Sequence, residues 1–213
     1  MSEKYQVVAG DNLWTIALRF YGDGRQYTSL AIINSIPNPN KLDVGQELLI
    51  PYITYRHEVK PGDSKAAIAK RYYADPTMQW PFELASHVAQ RDIHVGERLL
   101  IPDLGNAGHH TIVPGETLPD LAQRWYGEAV LWPLISRANL LDDAVVFPGQ
   151  VLNKPRLNRR YVVKPGDTLS ALTKDNYGPN QLSMMWTYLA AANQIHDPNK
   201  IDVGQVIFFP DLA

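Results

Sequence analysis

Apolar residues recur along this chain with two alternating periods. Leu13, Ile16, Ala17 and Phe20 stand at i, i+3, i+4 and i+7, the spacing of one buried helical face. Leu118, Leu121, Ala122 and Trp125 repeat it. Before each stripe lies a short run rich in β formers, such as Tyr5-Gln-Val-Val. Ala9-Gly10, Pro61-Gly62, Pro114-Gly115 and Pro165-Gly166 end these runs with turns in which glycine takes a positive φ. Behind the turn, Asp11 and Asn12 offer side-chain oxygens to the free N–H groups of a starting helix. Gly22, Gly127 and Gly178 stand where the helix should stop.

A second helix is predicted from Tyr27, Trp80, Trp132 and Trp186. Each lies two helical turns before Asn34, His87, Asn139 and Asn193, so each pair shares a face. The asparagine is suited to capping carbonyls or to a left-handed backbone, and in the second copy His87 takes its place. The unit closes with "DVGQELLIP", "HVGERLLIP", "FPGQVLNKP" or "DVGQVIFFP", a glycine turn and a β-rich run stopped by proline. The predicted order is strand–helix–helix–strand.

Four copies, starting at Tyr5, His57, His110 and Tyr161, recur about every 52 residues. The expected modules are 1–52, 55–103, 109–157 and 160–213. Units this short sit near the lower size limit for folding alone, so contacts between neighbours should add stability. The linkers "YITY" and "LGNAG" are too short to be tethers and predict limited swing between modules.

"YVVKPGDTLSALTKDNYG", followed by "AANQIHDPNKIDVGQVIFFP", resembles a LysM module, and so do the other three stretches. The resemblance implies an α+β fold of four tandem βααβ modules, each a two-stranded antiparallel sheet with two helices on one face. It also implies binding of N-acetylglucosamine-containing glycan, peptidoglycan or a chitin-like polymer, in a groove between the first-strand turn and the loop after the second helix. Carried onto this chain, the groove comprises Gly10, Asp11, Asn12 and Leu13 facing Ser35, Ile36 and Pro37. In the third copy it begins with Gly115, Glu116, Thr117 and Leu118. In the fourth, Gly166, Asp167, Thr168 and Leu169 face Gln194, Ile195 and His196. The second copy departs with Ser64-Lys65, where a charge replaces the first apolar residue, and is expected to be a degenerate spacer. The connections "YGDGRQY", "YGEAVLW" and "YGPNQLSMMW" are long, and resemble LysM modules of cytosolic bacterial proteins and of phage tails or baseplates. That resemblance implies an alternative role: assembly through protein partners in a tail, baseplate or contractile injection machine.

Charge and composition narrow the classes. The 213 residues carry a formal net charge of −2, with no basic run of the kind that binds nucleic acid or an anionic membrane. No apolar run approaches a membrane span, so no membrane insertion is expected. With no cysteine there is neither a disulfide framework nor a thiol nucleophile. Met1-Ser-Glu-Lys precedes the first repeat without a signal-like segment. Cytoplasmic placement at synthesis is therefore expected, with virion or injection-machine association, or lysis, as routes out. Asp11, Asp63, Glu116 and Asp167 recur as single acids at a cap position, and no second acid recurs to complete a hydrolytic pair. His109-His110 lies in a linker and lacks the i, i+4 spacing of a helical zinc site. The expectation is no enzyme, no cofactor and no metal. The helix-two aromatics are expected in the cores, while Trp14 has no aromatic counterpart and is expected at a surface, at an inter-module contact or in partial core burial.

Overall fold

The structure, a computed structural model, describes residues 3–141, 143–179 and 182–212. It is built of four modules with one topology. The first runs β1 (Glu3–Gln6), α1 (Leu13–Tyr21), a 3₁₀ turn (Gly24–Gln26), α2 (Tyr27–Ile33) and β2 (Glu47–Ile50). The second runs β3 (Tyr55–Glu58), α3 (Lys65–Tyr73), α4 (Trp80–Ala85) and β4 (Arg98–Ile101). The third contains β5 (Asp103–Thr111), α5 (Leu118–Tyr126), a 3₁₀ turn (Ala129–Leu131), α6 (Trp132–Ala138) and β6 (Val151–Arg156). The fourth contains β7 (Arg159–Val162), α7 (Leu169–Tyr177), α8 (Leu182–Ala192) and β8 (Val206–Phe209). Each module's first and last strands pair antiparallel as a two-stranded sheet. Among the described residues, no helix is long and apolar enough to cross a membrane.

A two-stranded sheet is marginal by itself and needs helices to cover one face. In the first module Leu13, Ile16, Ala17, Leu30, Leu48 and Ile50 form that shared core. The helical stripe turns one position further than the i+7 reading: Tyr21 is buried, and Phe20 is half-buried, edge-on to Tyr5 at 5.4 Å. The same shift makes Tyr126, not Trp125, a fully buried ring. These buried tyrosines and their half-buried counterparts in the second and fourth modules make the same bond. The hydroxyls of Tyr21, Tyr73, Tyr126 and Tyr177 donate to the carbonyls of Pro51, Pro102, Pro155 and Pro210 at 2.8–3.2 Å. The end of the first helix is thereby tied to the residue that closes the module, satisfying a phenol that would be costly to bury unpaired.

A second tie joins the second helix to the closing strand. The Asn34 amide donates to the carbonyls of Leu30 and Leu49 and accepts from the Leu49 N–H at 2.7 Å. Asn139 and Asn193 make the same three bonds with their own strands. The left-handed residue is the next one along, Ser35, Leu140 or Gln194. In the second module α4 is shorter, and Ser86 takes the asparagine's place, accepting from the Leu100 N–H at 2.8 Å. His87 is therefore the left-handed residue (φ 55°), not the substitute for asparagine that spacing alone suggested.

The third module corrects the linker reading. Residues 104–108, "LGNAG", lie within β5, whose register against β6 shifts between Asp103 and Gly108. His109 and His110 are strand residues facing Asn153 and Leu152.

The modules gather into two compact units, residues 1–53 with 158–213 and residues 54–157. In the first unit α2 packs against α8, and Ala192 enters the first module's core. Gln26, fully buried, donates to the Ala192 carbonyl at 2.8 Å and accepts from Ser29. Gln194 donates to Asp23 at 2.7 Å, and Tyr52 forms an isolated antiparallel bridge with Asp211. The partner of the first module is thus the fourth, the most distant in sequence. In the other unit α4 packs against α6. Ala85 joins the third module's core, and Trp80 packs on that core under the Arg137 guanidinium, rather than filling its own module. His87 meets Glu128 at 2.8 Å.

Candidate functional site

The first-strand turn is built alike in all four copies. Gly10 has φ 91°, and Gly62, Gly115 and Gly166 fall within a few degrees of it, as the turn requires. The recurrent acid does not cap the helix, as the spacing suggested. That role belongs to the next residue: Asn12, Ser64, Thr117 and Thr168 each accept from the backbone N–H three residues on, at 2.9–3.3 Å. Asn12 and Thr15 complete a reciprocal capping box.

The acids instead lock the turn. Asp11, Asp63, Glu116 and Asp167 each accept the N–H three residues earlier, from Val8, Lys60, Val113 and Lys164. Each also bonds a strand side chain six residues earlier: Tyr5, His57, His110 or Tyr161. Hydrogen bonds to a carboxylate favour its charged form. Asp11 is held below its ordinary range, chiefly by the Tyr5 hydroxyl, and Asp63 and Asp167 chiefly by their turn N–H groups. Glu116 falls from an ordinary 4.5 to about 2, first through His110, then the Val113 N–H and Arg124. Carboxylates so engaged are poor proton donors at neutral pH, which suits fixed turns better than acid catalysis.

What differs is the groove. In the first module a cavity of about 390 Å³ opens among Asn12, Leu13, Trp14, Tyr27, Pro39 and Asn40. It brings together the helix start and the loop after α2. Of the candidate residues, Asn12 and Leu13 line it; Gly10, Asp11, Ser35, Ile36 and Pro37 do not. Gly10, Ser35 and Pro37 are exposed, Asp11 is engaged in the turn, and Ile36 packs on the core. Trp14 stands half exposed on the cavity wall.

The second module carries a charged side chain at the floor position. Lys65 replaces the buried leucine, and its ammonium donates to the Val88 carbonyl at 2.6 Å while pairing with Glu83 at 2.9 Å. This strap joins the helix start to the loop after the second helix, and α3 forms regardless.

In the third module Gly115 and Thr117 are exposed at the turn, Glu116 is bonded within it, and Leu118 is fully buried. In the fourth, Gly166, Thr168 and His196 are exposed, Asp167 is bonded within the turn, Leu169 is buried, and Ile195 packs on the core. Gln194 is turned to Asp23 of the first module. Three features escaped the sequence reading: the tyrosine–proline tie, the turn-locking acids and the Lys65 strap. A tyrosine at the end of every first helix and a proline at the end of every unit were the available signal for the first.

The chain is thus a tandem array of βααβ modules, each with a carboxylate-locked turn after its first strand. The LysM domain family matches residues 5–51, 57–102, 110–155 and 161–210, and the chain belongs to that family. The esterase Rv1288 of Mycobacterium tuberculosis is 42% identical over 154 residues, which are 71% of this chain and 33% of that protein. This chain thus spans about a third of that relative's length. The secreted LysM effector ECP6 of Passalora fulva is 26% identical over 216 residues, covering 97% of this chain and 77% of the effector. Among solved structures, the spore cortex-lytic enzyme SleL of Bacillus megaterium is 27% identical over 50% of this chain and 24% of its own, with a TM-score of 0.27.

Proposed function

We propose that this chain binds N-acetylglucosamine-containing glycan, peptidoglycan in particular, without acting on it chemically. The observation that carries the reading is the first-module cavity, walled by Leu13 and two aromatic rings and rimmed by Asn12 and Asn40. An acetamido sugar presents a carbonyl, an N–H and a methyl beside apolar ring faces, and this mixture of amide and apolar walls suits it. Family membership and the likeness to a LysM effector support the same reading. The esterase relative carries its printed activity on a protein of which the match covers only 33%, so that activity does not extend to this chain.

The modules contribute unequally on this reading. The first offers an open groove, the third and fourth have the leucine floor, and the second is a spacer closed by Lys65. Joining weak sites in one chain raises affinity through local concentration. The test is sedimentation of the intact chain with insoluble peptidoglycan and with chitin, comparing the native chain with Gly10 and Gly166 variants. Retention on peptidoglycan that falls in the variants supports the proposal. Failure to sediment with either polymer overturns it and favours assembly through protein partners.

A further inference from the structure

We infer that Trp14 is a sugar-stacking residue that adds a subsite to the first module's groove, an inference resting on the glycan-binding reading above. The indole is 49% exposed, yet it is held in place. It lies directly on the bare α-carbon of Gly24: a Cβ there would meet indole Cε2 at 2.2 Å and Nε1 at 2.5 Å. Gly24 does not have a positive φ, so the turn itself does not demand glycine. Close approach of the tryptophan does. Tyr27 lies on the same wall, its ring 6.1 Å from the indole and tilted by 40°.

The pair is absent from the other modules. The residue after the first helical position is Ala66, Pro119 or Ser170, and the place of Gly24 is taken by Pro76 and Ala129 in the second and third modules. A single exposed apolar residue needs no explanation. A tryptophan seated on a glycine made to receive it, walling a cavity with two asparagines on the rim, does. The fitting ligand is a β-linked N-acetylhexosamine chain. Its pyranose face of C–H bonds packs on the indole while its acetamide meets the amide rim. The groove floor at Leu13 takes one part of the chain and Trp14 the next, so longer oligosaccharides gain most.

The test follows the Leu13 methyl resonances of the intact chain during titration with chitohexaose and with chitobiose. Trp14→Ala should weaken chitohexaose binding about tenfold and leave chitobiose nearly unchanged. Gly24→Ala, which keeps the tryptophan but displaces it, should weaken chitohexaose in the same direction, and Trp14→Phe should fall between. The amide spectrum of each variant checks its fold, and Trp14→Phe and Gly24→Ala carry the test if the alanine variant is perturbed. Native affinity for chitohexaose in all three variants would overturn the stacking role while leaving the groove intact. Leu13 resonances of the native chain that respond to neither oligosaccharide would overturn the groove reading and the subsite with it.

Discussion

The grooves of the first and second modules are built on one scaffold and filled in opposite ways. Both have a positive-φ glycine turn, an acid accepting the turn N–H, a side-chain helix cap and a tyrosine bonded to the closing proline. They differ at the first helical residue. Leu13 is a buried floor beneath an open cavity, whereas Lys65 reaches across to Val88 and Glu83. The scaffold tolerates the change because Glu83 supplies a counter-charge and Val88 an acceptor, so the ammonium is paired where it would otherwise be costly. The lesson is that recurring residues maintain the fold, while the residues that break the repeat decide whether a groove is open.

Exchanging the two floors is the most severe way to break this comparison. Leu13→Lys places an ammonium where Ala31, not an acid, stands near the second-helix position of Glu83, and should destabilise the first unit by about 3–5 kcal/mol. Urea denaturation of that variant, and of Leu13→Lys with Ala31→Glu, should show partial recovery in the double variant. Equal stability of the two would refute the pairing argument. The opposite exchange, Lys65→Leu with Glu83→Ala, should open the second groove and add one chitohexaose site by calorimetry; unchanged stoichiometry would count against the strap.

The helix–strand tie is a smaller lever. Asn34→Ala strands the Leu49 N–H and carbonyl and should cost about 1–3 kcal/mol. Ser86→Ala, with fewer bonds to lose, should cost less by the same urea measurement. The N-cap contributes still less: Thr168→Ala should lower stability by about 1 kcal/mol.

All four turn carboxylates confer acid sensitivity, and Glu116 of the third module is shifted furthest. Glu116 is held at about 2 against an ordinary 4.5, so folding favours its ionised form. Its contribution is fully present above about 4.5 and is lost as pH falls towards about 2. Melting temperature should therefore drop across that window, and Glu116→Gln should shrink the drop relative to the native chain. An identical profile for the variant would contradict the assignment. The Lys4–Glu47 pair lies at the bottom of the scale. Both side chains are largely exposed, so Lys4→Ala should change stability by less than about 1 kcal/mol in thermal melts.

Much of the module was legible because its signals are local. The i, i+3, i+4 stripe at Leu13, Ile16 and Ala17 fixes a helix face, and a Gly between β-rich runs fixes a turn. The candidate groove was legible only in part: Asn12 and Leu13 line the cavity, but Trp14, Tyr27, Pro39 and Asn40 complete it. Spacing told where the helix began, not which side chains its rotation would present to the second loop. Asp11 was read as a cap because capping and turn-locking acids look identical in a string; only the direction of the carboxylate separates them.

By itself, then, the sequence determined the repeat, the order of elements and the LysM class, since each rests on residues a few positions apart. Tertiary structure alone decided that the first module pairs with the fourth and the second with the third. Those choices depend on buried contacts such as Gln26 with Ala192, 166 residues apart, and Ala85 with the third module's core. No local period encodes such a choice. It is made by shape and by the advantage of pairing buried polar groups such as Gln26.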